Sequence, residues 1–564
     1  MKEPCLYLNR SRFIPLAQRL LNKYASNISK TEFNCIEYTP NIRKNAYNNA
    51  FEMMQAMDVS KWAAKMSVLF GIDCQLHCNK FFFDRLYLKF EFIEVAKRYC
   101  VENPQEAVAI QLSRRYLDPY IGNLAGFSKI RLRKSSPFPE FVFSLLLLPL
   151  VLFHQKRTNS SNENLFYERN IVCLVDDTST LNMFASLFSH YHNLRFVTER
   201  HNRKSFADDV VQQYGISVLG LTKDDLSFFR NRLIQFLWKT VTTYQIMKHG
   251  AAFIELFNVI IRGRSQSIRG SNNVFITYEH LETVKAIRND FLHSRNTKTI
   301  FIPKNAYIST QYFHSEIFIN YQVMCAAGQH TIDLLKKKRA STSRFLYTGS
   351  YDNHRRFLQD SCDIERIGKL NNLKGNKCVV TILSPGICDP TYRHEVKLMQ
   401  LAQKLSEIKN VLVFIRTKPV QPESRYSNFY RSYTDGYPGI ILTDKEYMLL
   451  DFLTVTDVFI TSISNSASDL ALCGGQVFYI DFLKDPELFL SWEMNPEVVI
   501  DEKDAYDSVA AWIADLPGGT ERNRLKKNMD KLVDYIGYLH KDFETYKGNL
   551  LRQVTPLLPQ MQEV

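Results

Sequence analysis

Short apolar runs rich in Val, Ile and Phe alternate with amphipathic stretches of helical length, and the alternation occurs twice. The first series places strands at Ile171 to Val175, Leu194 to Thr198, Ile216 to Leu219, Asn273 to Thr277 and Thr299 to Ile302. Helices at Leu181 to Tyr191, Phe206 to Tyr214 and Leu281 to Phe291 alternate with them, and Asp225 to Ile261 reads as a long helical excursion. The second series places strands at Cys378 to Leu383, Val411 to Ile415, Gly439 to Leu442, Val458 to Thr461 and Gln476 to Ile480. Its helices fall at Glu395 to Ile408, Tyr447 to Leu453 and Ser466 to Cys473. Strands in strict alternation with helices predict parallel sheets with crossover helices. The expected fold class is α/β, with two Rossmann-like domains facing each other and an N-terminal α/β extension. The polar stretch Asn371 to Lys377 reads as the linker between the two.

The expected division is an N-terminal extension over 1–165, a first Rossmann-like domain over 166–370 and a second over 376–564 that includes C-terminal helices from Thr520 to Leu551. A chain of 564 residues has room for two or three such units. In the extension, Cys5 to Leu8, Phe33 to Tyr38 and Ala107 to Gln111 read as strands and Phe82 to Tyr99 as a helix. The run Lys336 to Arg339 reads as a solvated helix end, and Gln155 to Glu168 as an exposed loop.

A net charge of +13 favours anionic partners. The most apolar stretch, Phe141 to Phe153, has 13 residues, too few to span a bilayer. Lys129, Arg131, Arg133 and Lys134 precede it, and Lys156 and Arg157 follow. Apolar residues between basic clusters suit peripheral insertion into an anionic membrane surface; a buried core helix is the alternative. No secretory signal is visible at the start. Eleven scattered cysteines read as reduced thiols, and Cys74, His77 and Cys78 form an isolated grouping with no second pair at metal-ligand spacing. Neither a metal nor a cofactor is expected. With no zinc module, RNA-binding aromatic signature or dense basic helix, nucleic acid is not an expected partner.

In open parallel sheets ligands bind at the carboxyl ends of the strands. In the second series one strand exits into Arg416-Thr417-Lys418-Pro419, two cations suited to a diphosphate. Another exits into the run Ser462 to Asp469, in which Ser462, Ser464, Ser466 and Ser468 supply hydroxyls at a helix start. Asp469 is placed to accept from ribose hydroxyls. Helix capping by Ser and Asp is the competing explanation for this run. Gly474-Gly475 fits the helix end.

These stretches, VLVFIRTKP and LLDFLTVTDVFITSISNSASDLALCGGQVFYID, resemble the donor half of bacterial GT-B-fold glycosyltransferases that build surface polysaccharides such as capsule and lipopolysaccharide. Lys418 stands where that family usually has a motif His, and Asp469 where Glu is often found; Gly475-Gln476-Val477 lacks the usual proline. Upstream, Phe275 to His280 is similar to the acceptor-domain strand that ends in Thr-x-Glu-His, and Asn320 to Tyr351 to the stretch leaving the first domain. The resemblance implies a nucleotide-sugar donor, a glycan or glycolipid acceptor, and a place on the cytoplasmic face of the inner membrane.

Glycosyl transfer needs stabilisation of a departing phosphate and, with inversion, a base for the acceptor hydroxyl. The base candidates are Glu279 and His280 at one strand exit and Asp176, with Asp177, at another; a helix cap is the alternative for each acid. Two rival enzymes fit the same architecture: a glycerophosphotransferase of the CDP-glycerol type, and a sugar-nucleotide epimerase.

Overall fold

The structure, a computed structural model, describes residues 5–7, 40–56, 59–102, 108–112, 130–134, 169–199, 202–221, 225, 227–232, 235, 256–278, 283–304, 317–351, 363–384, 392–417, 423–443, 447–462, 470–471, 473–482, 499–516, 519–536 and 543–558. They form three parallel sheets.

The central sheet has seven strands: β4 (Ile171–Leu174), β5 (Leu194–Glu199), β6 (Ser217–Leu219), β7 (Val274–Thr277), β8 (Lys298–Phe301), β9 (Val323–Ala326) and β10 (Arg344–Tyr347). Their order is β10-β9-β8-β7-β4-β5-β6. Chain order runs outward from β4 in one direction and then from β7 in the other, so the topological switch lies between β4 and β7. All residues of β4, β7 and β9 are buried. Apolar side chains on both faces of a strand require helices on both faces, which explains the unbroken rather than alternating hydrophobic runs.

The second sheet comprises β11 (Cys378–Leu383), β12 (Val411–Arg416), β13 (Ile440–Leu442), β14 (Val458–Thr461), β15 (Val477–Asp481) and β16 (Val499–Asp501), in the order β13-β12-β11-β14-β15-β16. Its switch point lies between β11 and β14. The two sheets thus share one winding, with a seventh strand added to the first. The expected two-domain parallel α/β architecture is the observed one.

The N-terminal extension holds β1 (Cys5–Tyr7), β2 (Val108–Leu112) and β3 (Ile130–Lys134) in a small parallel sheet. Helices α1 (Pro40–Ala56), α2 (Val59–Phe70) and α3 (Gln75–Glu102) accompany it. Cys74, Cys78, Phe81 and Phe82 share a core with Phe257, Ile260 and Ile261 of helical residues 256–265, and with Ile287 and Phe291 of α6 (Thr283–His293). In that α6 the chain also approaches Gly263, where an added Cβ would lie 2.5 Å from the Ile287 side chain. A polar seam runs beside this core. His77 Nε2 is 2.5 Å from Asp290 Oδ2, Asn320 Nδ2 donates to Asp290 Oδ1 at 2.8 Å, and buried Lys80 donates to the carbonyl of Ile317 at 2.9 Å. Burial pushes the Cys78 thiol up and that of Cys74 up to about 12.

The differences from expectation are instructive. Asn371 to Lys374 are not linker but the last turn of α8 (Ile364–Lys374), which Asp363 caps and Gly375 ends. Leu370 lies in the second core, and Arg366 Nε donates to the buried Asp451 at 2.8 Å, so α8 is part of the second lobe. In the basic run, Lys336 and Lys337 are exposed in the last turn of α7 (Gln329–Lys337), whereas Lys338 is buried. Strands β9, β10 and β16 and helix α10 (Glu423–Thr434) were not expected. Arg131, Arg133 and Lys134, read as a flank of the apolar segment, lie on β3. Phe33 to Tyr38, Phe141 to Phe153, Gln155 to Glu168 and most of the excursion after Asp225 lie outside the described residues. Among the described residues, no helix is long and apolar enough to cross a membrane.

Helix α13 (Thr520–Ile536) packs beside α7, and Ala327, immediately after β9, enters the second lobe's core. Helix α14 (Phe543–Val554) returns to the first lobe, where Phe543, Tyr546, Leu550 and Val554 join the core of the seven-stranded sheet.

Candidate functional site

Both switch points carry polar side chains at the carboxyl ends of their strands. In the first lobe β4 ends at Leu174, and Asp176 follows two residues later, nearly buried. Its Oδ1 accepts from Asn202 Nδ2 at 2.7 Å and its Oδ2 from the Tyr278 hydroxyl at 2.8 Å. Tyr278 directly follows β7 and Asn202 lies just past β5, so one carboxylate ties together the exits of the three strands around the switch. Lys304, past the end of β8, holds its ammonium 5.9 Å from the centroid of the Tyr278 ring. Buried Glu199, the last residue of β5, pairs with Lys285 of α6 at 2.5 Å.

Asp177 has the other fate that sequence allows an acid at a strand exit. It is the N-cap of α4 (Thr178–Phe188), accepting from the Thr180 amide at 2.7 Å in a capping box. Adjacent aspartates thus divide into a helix cap and a carboxylate aimed at neighbouring strand exits. Glu279 and His280 lie outside the described residues; they directly follow Tyr278.

In the second lobe the register pairs Leu383 of β11 with Arg416 of β12, and the Ser384 amide donates to the Arg416 carbonyl at 3.0 Å. On the other side of β11, Ile382 pairs with Ile460, and Thr461 Oγ1 donates to the Leu383 carbonyl at 3.0 Å. Ser384 and Ser462 therefore stand on adjoining strand ends across the switch, with Arg416 on the third.

The two serines differ. Ser384 Oγ lies 2.6 Å from Glu395 Oε1 and 2.6 Å from the Tyr430 hydroxyl, all three buried. A serine has one proton to give, so Ser384 donates to the carboxylate and accepts from Tyr430. Ser462 is fully buried, and its hydroxyl has no hydrogen-bond partner among the described residues. A buried unsatisfied hydroxyl costs about 1–3 kcal/mol. Lys418, Ser464, Ser466, Ser468 and Asp469 lie outside the described residues. Leu470 and Ala471 of the helix that follows are helical, and Gly474 ends it in the left-handed region (φ 84°). Beside it, a Cβ on Gly475 would sit 2.9 Å from the Leu470 carbonyl, so glycine is required there for packing.

Sequence reading found Asp176, Arg416 and Ser462 by their place after apolar runs. It missed Asn202, Tyr278, Ser384, Glu395 and Tyr430. The strand-exit rule applied to Cys378–Leu383 would have found Ser384; the others are brought in by tertiary packing. Among the described residues no group of three or more His, Cys, Asp or Glu is arranged to hold a metal ion.

No protein-family model matches the chain, and no curated protein matches it. Among solved structures it is similar to the wall teichoic acid polymerase TagF, with a TM-score of 0.43 and 11% identity over 76% of this chain and 99% of that chain. It is also similar to MnaA of S. aureus in a structure with UDP (TM-score 0.42, 9% identity, 70% of this chain and 98% of that chain). A UDP-N-acetylglucosamine 2-epimerase gives a TM-score of 0.39 and 10% identity over 71% of this chain and 99% of that chain. At these scores and identities the likeness carries no argument about chemistry, which rests on the chain's own residues.

Proposed function

We propose that the chain is a glycosyltransferase that moves a sugar from a nucleotide-activated donor to a surface glycan or lipid-linked acceptor. The observation that carries this reading is Ser462, a buried hydroxyl with no hydrogen-bond partner among the described residues at the switch point of the second sheet, one strand from Ser384 and two from Arg416. A phosphate oxygen is the partner such a hydroxyl lacks, and a switch-point crevice is where nucleotides bind in doubly wound sheets. In this reading Arg416 and Lys418 meet the diphosphate, Ser462, Ser464, Ser466 and Ser468 add hydrogen bonds to its oxygens, and Asp469 accepts from the ribose. The same groups hold the nucleotide as it departs with the electrons of the broken glycosidic bond.

The acceptor's proton goes to a base in the first lobe. Asp176 serves only if an acceptor hydroxyl displaces Tyr278 or Asn202 from it. Glu279 and His280, next in sequence to Tyr278, are the other candidates. The lobes of this reading are 1–165 with 166–370 on the acceptor side and 376–564 on the donor side, with α8 transferred to the donor lobe. Residues 141–153 and their basic flanks attach the enzyme to the cytoplasmic face of the inner membrane.

The test is a thermal-shift screen of the full chain against CMP, CDP, UDP, GDP and dTDP, since a ligand of the native state raises its melting temperature. Calorimetry with the responding nucleotide on Arg416→Gln, Ser462→Ala and Asp469→Ala then assigns the contacts. Loss of one charged contact costs about 1.5–3 kcal/mol, roughly one to two decades of affinity. No response to any nucleotide, or unchanged affinity in all three variants, overturns the reading. Product analysis with the matching activated donor separates sugar transfer from glycerol phosphate transfer and from epimerisation.

A further inference from the structure

We propose that the amino edge of the seven-stranded sheet is a docking face for an anionic membrane surface. The strands are all parallel, so their first residues and the turns leading into them share one edge, opposite the crevice. Among the described residues of those turns (169–170, 189–193, 215–216, 267–273, 294–297, 317–322 and 338–343) there is no Asp or Glu. Arg169, Arg195, Lys298, Lys337, Arg339 and Arg344, in or beside the turns, are all exposed. They extend from β10 to β5, five strand spacings or about 24 Å. The face stands on charge and exposure and does not rest on the donor reading above.

Among the described residues no carboxylate pairs with any of the six. Arg195 Nη1 donates to the carbonyls of His192 and Leu194, and Lys298 Nζ to that of Leu557 at 3.3 Å. The Arg339 guanidinium lies 4.2 Å from the centroid of the Phe51 ring of α1. Helix C-termini carry partial negative charge, which accounts for Lys337 in the last turn of α7. It does not account for Lys298 and Arg344, which open β8 and β10, or for Arg195 on β5. Arg169 and Arg339 sit in the left-handed region (φ 69° and 57°), where glycine or asparagine is favoured. Arginine has no conformational advantage there, so its charge is what distinguishes it. The same edge of the second sheet differs: its turns mix exposed Lys377 and Lys409 with exposed Glu407 and Asp435.

An acid-free row of cations matches a surface of phosphodiester headgroups. Each cation brought near an acidic bilayer favours binding by about fivefold, and salt screens the attraction. Arginine forks add paired hydrogen bonds to phosphate oxygens. Among the described residues no large apolar side chain is exposed on this edge, so the contact is electrostatic and needs no insertion.

The full chain is floated with vesicles of phosphatidylglycerol in phosphatidylcholine, against phosphatidylcholine alone. Binding should need the acidic lipid and fade in high salt. Lys298→Gln, Arg339→Gln and Arg344→Gln together should weaken it on the order of a hundredfold, with the melting temperature unchanged. Lys377→Gln, Lys404→Gln and Lys409→Gln remove the same charge from the second lobe and should weaken it far less. Hydrogen exchange on the parent needs no variant: acidic vesicles should slow exchange at 169–170, 189–195, 294–298 and 339–344 and not at 407–410. The effect of the edge variant should persist when Leu145, Leu146 and Leu147 are changed to Ser, which separates this face from residues 141–153. Equal loss in the two cation variants assigns binding to net charge at large. Loss with the leucine changes alone assigns it to residues 141–153. Capture of polyphosphate without acidic vesicles assigns the face to a soluble polyanion. Each of these, or a parent that ignores acidic vesicles, overturns the proposal.

Discussion

Ser462 and Asp290 show how a single side chain reports on what it lacks or holds. Because the Ser462 hydroxyl is buried with no partner among the described residues, Ser462→Ala removes a penalty from the unliganded protein. The variant should unfold at the same or slightly higher urea concentration, by up to about 1 kcal/mol, while nucleotide affinity falls. Loss of stability instead would mean the hydroxyl is already satisfied. Asp290 is the reverse case. Burial alone raises its pKa, but the contacts and charges of His293 and His77 outweigh this and hold it at about 2, below the ordinary carboxylate value. A depressed carboxylate stabilises the fold above its unfolded pKa and loses that contribution as pH falls from about 4 through about 2. The difference is worth about 2 kcal/mol. Asp290→Asn should therefore cost stability at pH 6, with the gap to the parent closing by pH 2 in denaturant titrations. Position after a strand made Asp176, Arg416 and Ser462 legible in sequence. Tyr278 and Asn202 were not, because they lie 102 and 26 residues from Asp176 and only the sheet order brings them to it.

At the scale of elements, legibility followed hydrophobic length. β11 and β14 begin and end where their apolar runs do, since long buried runs leave little choice of register. β16 has only three residues, and α10 is composed of Ser, Asn, Thr, Glu, Arg and aromatics, most of them poor helix formers. Tertiary burial of Tyr430, with Phe429 and Tyr433 packed against the same core, holds α10 in place. The mistaken linker has the same origin: Asn371, Asn372 and Lys374 are polar, but Leu370 is buried and Arg366 reaches Asp451. Asp451 is fully buried and also accepts from the Met448 amide at 2.8 Å. Arg366→Ala strands that carboxylate, and breaking such a pair costs about 3–5 kcal/mol. Equilibrium unfolding should show this loss in the transition of the second lobe; a change under about 1 kcal/mol would indicate a pair worth no more than an exposed one.

At the scale of the whole molecule, α14 is structurally part of the first lobe. Helix α14 lies more than 160 residues past the start of the second lobe's β11, yet it packs on the first lobe. Tyr546, Leu550 and Val554 are fully buried there, the Phe543 ring meets Tyr351 edge-on at 5.6 Å, and the Tyr191 hydroxyl lies 2.9 Å from Thr555 Oγ1. Gln553 Nε2 also donates to the Tyr347 carbonyl at the end of β10. The sequence reading assigned these helices to the second domain, whereas α14 completes the core of the first, because the amphipathic pattern of α14 gives a face without its partner. Two consequences follow from this return. The first lobe is incomplete until α14 is made, and the two lobes are held together by a second covalent crossing besides the one before α8. Leu550→Ala should cost about 2–5 kcal/mol. Hydrogen exchange should quicken in β4, β7 and β9 and leave β11, β12 and β14 protected. If protection is lost equally in both sheets, the lobes unfold as one unit; if it is lost only in the second sheet, α14 belongs to the donor lobe and the assignment is wrong.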